Sequence, residues 1–85
     1  MTDPQHTFEL TVAAVPGAIE RVLSVVRRRG LGVSSFRADT GEDGQWSVRI
    51  LAGAMPQEAA LALRQFSTLV DVRVARLCDA RPGSQ

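Results

Sequence analysis

Twice along this chain a run of alternating apolar residues gives way, across a proline, to a run with helical spacing. In the first unit Phe8, Leu10 and Val12 alternate with Thr7, Glu9 and Thr11, the period of a half-buried strand. After Val15-Pro16-Gly17, the residues Ile19, Val22, Leu23 and Val26 recur at i, i+3, i+4 and i+7, which predicts a helix starting near Pro16. Arg27, Arg28 and Arg29 complement the negative end of its dipole, and Gly30 accepts the left-handed turn that ends it. In the second unit Trp46, Val48 and Ile50 alternate with Ser47 and Arg49, and Pro56-Gln57-Glu58 opens a helix with Ala59, Leu63 and Phe66 on its apolar side.

Two further strands complete the pattern. Val33 to Asp39 has β-branched and aromatic character and leads into Thr40-Gly41-Glu42-Asp43-Gly44, a hairpin turn. Val70, Val72 and Val74 alternate with Asp71, Arg73 and Ala75 as the last strand. The order is βαββαβ. Right-handed crossovers fold such a chain into an α+β, ferredoxin-like domain: a four-stranded antiparallel sheet in order 4-1-3-2 with two helices on one face. The other face stays open, and the second strand lies at an edge. Residues 6–78 carry the pattern, with residues 1–5 and 79–85 expected as flexible ends.

Composition narrows what such a domain does. With 85 residues, 45% of them hydrophobic, there is material for one core and no room for a second domain. A chain this short buries only roughly 60 to 65% of its unfolded surface, so self-association or a partner is expected. Ten Lys and Arg against nine Asp and Glu leave a net charge of +1, too little to draw polyanions or anionic membranes from a distance. The opening MTDPQHTF has no basic run followed by an apolar one, no stretch approaches the roughly 20 apolar residues of a membrane helix, and Cys78 is the only cysteine. These features predict a soluble cytoplasmic protein.

The chemical inventory is sparse. Nucleophilic catalysis needs a nucleophile beside an oriented base, and only His6 and Cys78, on neighbouring strands, offer a chance pairing. Clustered metal ligands such as C-x-x-C are missing. Glu42 and Asp43 read as solvated turn acids. RNA-binding domains of this shape stack bases on aromatics of the open face, whereas Trp46 shares its side with Val48 and Ile50, the core side. Arg27 to Arg29 read as a solvated helix end. Two features remain. The loop from Ala14 to Ala18 leads into a helix start whose free N–H groups can receive a carboxylate, or is an ordinary strand-to-helix turn. The edge strand Val33-Ser34-Ser35-Phe36-Arg37 presents backbone groups that a second chain can complete, or is held apart by its own twist.

Val15 to Phe36, VPGAIERVLSVVRRRGLGVSSF, resembles the opening of an ACT domain, a module that binds amino acids. ERVLSVVRRRG together with LVDVRVARLC (Leu69 to Cys78) resembles the small regulatory subunits of acetolactate synthase, in particular the short form of the isozyme II type. The resemblance implies a non-catalytic homodimer, paired through the second strand, that activates a large catalytic subunit in branched-chain amino-acid synthesis. Thiamine diphosphate (ThDP), Mg and FAD would belong to that large subunit. By position, the family's effector site would fall on Val15, Pro16, Gly17, Ala18 and Ile19, with Ser34, Ser35 and Phe36 facing them across a dimer interface. Contacts to the large subunit are expected on the open face and outer edges, at Glu9, Arg49, Phe36 and Arg37. Many valine-responsive members carry Asp or Asn before the Pro-Gly pair. This chain has Val15, and the ACT-like stretch fills nearly all of it, without the second domain of longer subunits. Weak or absent valine inhibition is expected. A free-standing ACT sensor acting on another enzyme or a transcription factor is the alternative.

Overall fold

The computed structural model describes residues 3–41 and 43–79, Asp79 by its backbone alone. Glu42, expected in the hairpin turn, and residues 1, 2 and 80–85 of the expected ends lie outside the described residues. The elements run β1 (Gln5–Ala13), α1 (Ala18–Arg29), β2 (Gly32–Thr40), β3 (Gln45–Gly53), α2 (Pro56–Thr68) and β4 (Val72–Asp79). All pairings are antiparallel, in the order β2-β3-β1-β4. The expected fold is therefore the observed one, with β2 and β4 at the edges.

One core holds the layers together. Phe8, Leu10 and Val12 of β1 and Val48, Ile50 and Ala52 of β3 are buried against both helices, the alternation having placed them on one side of the sheet. The Phe8 and Phe66 rings meet edge to face, with centroids 5.4 Å apart. The inward face of α1 is Ala18, Val22 and Val25, flanked by Ile19 and Val26, whereas Leu23 points out and is 42% exposed. The apolar stripe is thus rotated from the expected one, because the small Ala18 fits under the helix start and sets the phase. Helix α2 buries Ala59, Ala62 and Phe66, with Leu63 on the flank.

Strand β4 departs from its expected alternation. Val12 pairs with Val72 but Thr11 pairs with Val74, so Arg73 is an extra residue, a β-bulge. The bulge resets the phase. Val72, Ala75 and Leu77 pack against the core, Val74 faces the open side, and Val70 sits in the preceding turn, 86% exposed. No helix among the described residues is long and apolar enough to cross a membrane.

Candidate functional site

Between β1 and α1 the chain makes a tight reversal. The Ala18 N–H donates to the Val15 carbonyl at 3.2 Å, and Gly17 sits at φ 84°, ψ −6°. This is a type II turn with Pro16 and Gly17 at its corners, and it needs glycine at the second corner. Pro16 therefore belongs to the turn, and the helix opens two residues later, at Ala18. Gly17 caps the helix without a side-chain bond. Above this turn lies Arg21, whose guanidinium would stand 3.1 Å from a Cβ placed on Gly17.

Arg21 is held from the far side by Asp71, in the turn before β4. Its Nε donates to Asp71 Oδ2 at 2.8 Å, and Nη2 reaches the same oxygen at 2.7 Å. The Asp71 carbonyl also accepts the Ala13 N–H at 2.7 Å, so Asp71 ties both turns at this end of the sheet. The sequence reading missed both residues. Fifty positions separate them, and no local pattern marks such a pair.

Val15 is 44% exposed, and the expected effector residues Val15 to Ile19 surround the turn. Ser34, Ser35 and Phe36 do not join them within one protomer. Ser35 pairs with Leu51, which faces Thr7, six residues along β1 from Ala13 and the turn, about 20 Å away. Ser34 is the extra residue of a second bulge, its hydroxyl donating to the Leu51 carbonyl at 3.3 Å. Phe36 is half-buried and packs against the core from the helix side of the sheet, whereas its neighbour Arg37 is exposed. His6 and Cys78 are kept apart: His6 is buried on the core side, with Nε2 3.1 Å from the Ala54 carbonyl, while Cys78 pairs with Thr7 and is exposed.

The register aligns Arg37, Arg49, Glu9 and Arg76 in one row across the open face. Arg49 Nη2 donates to Glu9 Oε2 at 3.1 Å, and Arg37 lies 3.6 Å from Asp39. Beside the row, Thr11, Ser47 and Val74 help line a shallow hollow of about 360 Å³. None of its lining residues is aromatic, so the hollow offers no base-stacking platform. Among the described residues no group of three His, Cys, Asp or Glu could hold a metal ion.

Residues 14–75 match the family model for the ACT domain. The chain belongs to the ACT domain family. It is 35% identical over 81 residues to the acetolactate synthase isozyme 2 small subunit of Escherichia coli K12, covering 95% of this chain and 93% of that protein. The small subunit of Shigella flexneri matches to the same extent. In shape it is similar to the ACT domain of GTP pyrophosphokinase from Chlorobium tepidum, with a TM-score of 0.77 at 9% identity, covering 89% of this chain and 99% of that one. The C-terminal domain of the MgtC protein from Mycobacterium tuberculosis gives 0.78 at 10% identity, covering 93% and 89%. These two likenesses concern fold alone. Family and relatives together make this ACT domain a regulatory chain without an active site of its own.

Proposed function

We propose that this ACT domain is the activating small subunit of an acetolactate synthase, serving the synthesis of valine, leucine and isoleucine in the cytoplasm. One observation carries the reading: the match to an isozyme 2 small subunit runs over nearly the whole of both chains. The large catalytic subunit would bring ThDP, Mg and FAD, and this chain would supply contacts and no chemistry. The open face suits docking, because Glu9 and Arg49 stand exposed at its centre in a fold that leaves this face without a covering layer. The chain pairs with a copy of itself through β2, which supplies Ser34 to Phe36 from outside the protomer that carries the turn.

Valine acts weakly or not at all on this subunit. An amino-acid effector brings an ammonium group that needs an anion or acceptor, and Val15 offers no side-chain partner. The Asp71 carboxylate at this end of the sheet is already engaged, its Oδ2 accepting the Arg21 Nε–H at 2.8 Å and lying 2.7 Å from Nη2. The exposed Glu20 in the first helical turn further disfavours a carboxylate there.

Acetolactate formation from pyruvate by the large subunit of the same source, with and without this chain and over a valine titration, tests the reading. Strong stimulation that valine leaves in place is the expected result. Stimulation reversed by sub-millimolar valine would keep the subunit assignment and overturn the account of the turn. No stimulation and no co-purification would favour the free-standing sensor.

A further inference from the structure

The hydrogen-bond phase of the sheet fixes which backbone groups of β2 are free. The Gly41 N–H donates to the Gln45 carbonyl at 2.6 Å, so Gly41 and Gln45 form a hydrogen-bonded pair. In an antiparallel ladder such pairs alternate. Following the register back, Asp39, Arg37 and Ser35 spend their backbone groups on β3, at Ser47, Arg49 and Leu51. Thr40, Ala38 and Phe36 present theirs at the open edge. A second β2 running antiparallel can therefore add only by pairing these three residues with one another.

Three central registers satisfy that condition, and charge separates them. With Phe36 opposite Ala38 of the other copy, Arg37 faces Arg37. With Ala38 opposite Thr40, Asp39 faces Asp39. With Ala38 opposite Ala38, each Arg37 faces an Asp39, twice per dimer. Like charges directly opposite destabilise a strand pair and opposite charges stabilise it. Registers further out run into the Ser34 bulge at one end or the turn after Gly41 at the other. Both side chains are exposed, at 74% and 68%, and the 3.6 Å contact they make with each other within one copy would be exchanged for the contacts between copies. The other edge offers no such match, because the same phase on β4 sets Arg76 against Arg76 or against Cys78.

We infer that the dimer forms about a two-fold axis through Ala38, with Arg37 of each copy paired to Asp39 of the other. The inference rests on the pairing through β2 proposed above and gives it a register. It has a consequence for the turn. In this register Ser35 of one copy lies opposite Gly41 of the other, level with Ala13 and the approach to Val15-Pro16-Gly17. The two halves of the candidate effector surface, about 20 Å apart along one protomer's sheet, come to the same end of the joined sheet.

Cysteine cross-linking reads the register directly, in the full-length chain carrying Cys78→Ser. Arg37 and Asp39 of opposite copies would form a non-hydrogen-bonded pair with Cα atoms about 4.5 Å apart, within disulfide reach, whereas like residues would lie about 8 Å apart, beyond it. A mixture of Arg37→Cys and Asp39→Cys chains should give a cross-linked heterodimer under mild oxidation, and neither alone a homodimer. Self-cross-linking of Arg37→Cys, or of Asp39→Cys, would overturn the register in favour of one of the other two. Charge reversal provides a check without cysteine. Arg37→Asp should raise the dimer dissociation constant about tenfold or more, and the double variant Arg37→Asp/Asp39→Arg should restore it. An unchanged chain that sediments as a monomer at every concentration would overturn the pairing through β2 itself. A dimer indifferent to both charge reversals would overturn only the register.

Discussion

The two faces of the sheet are made by the same strands, residue by residue in alternation, yet they are constrained in different ways. On the covered face Phe8, Val12 and Ile50, and Phe66 of the helix that covers it, have no accessible surface, and each is fixed in size by what it touches. On the open face Ser47 and Arg49 are exposed and Glu9 and Thr11 only half-buried, so packing constrains their identity far less. The comparison teaches where function is written. A residue on the covered face reports on stability, whereas the charge row on the open face and edge reports on what else the domain must meet.

The largest effect expected from breaking this contrast is Phe66→Ala. Truncating a fully buried aromatic that meets Phe8 edge to face should cost about 3–5 kcal/mol. A domain of this length holds roughly 4–13 kcal/mol in all, so the variant should lose a large share of it and its thermal midpoint by circular dichroism should fall by at least about 12 °C. A cooperative transition within a few degrees of the unchanged chain would mean that the covered face is far more plastic than its packing implies.

The second prediction sharpens the boundary between the faces where the sequence was misleading. Read by alternation, Val74 belongs inside and Ala75 outside. The Arg73 bulge reverses this. Ala75→Asp should therefore cost about 2–3 kcal/mol, by bringing an unpaired charge against Leu10, whereas Val74→Ser should cost under about 1 kcal/mol. Urea midpoints for the two variants decide it, and the opposite ranking would restore the unbulged strand.

That bulge shows how far the sequence was legible. Element order, strand order and the phase of β1 and β3 follow from periodicity, because each apolar run there is uninterrupted. In β4 one extra residue shifts the phase without changing composition, and in α1 the small Ala18 hides the true centre of the buried stripe. The turn Val15-Pro16-Gly17 was visible through its proline and glycine. The Arg21–Asp71 pair that braces it was not, since it depends on two turns meeting at one end of the sheet. Nor could spacing tell that Ser34 to Phe36 lie at the opposite end of the same protomer's sheet from that turn.

The smallest effect on stability should come from the centre of the open face, and it is the one that separates structure from function. Glu9 and Arg49 make a single exposed ion pair at 3.1 Å, with side-chain exposures of 36% and 65%. Such pairs contribute about 0–1 kcal/mol, because water screens the attraction and two long side chains lose freedom to make it. Changing both to alanine should therefore leave the thermal midpoint within a few degrees, while docking through this face requires that stimulation of the large subunit fall severalfold at fixed concentration. Reduced stimulation with unchanged stability makes the row a recognition surface. Unchanged stimulation instead leaves the pair as a solvated feature of an idle face, and the large subunit must then be met by the edges or the helices.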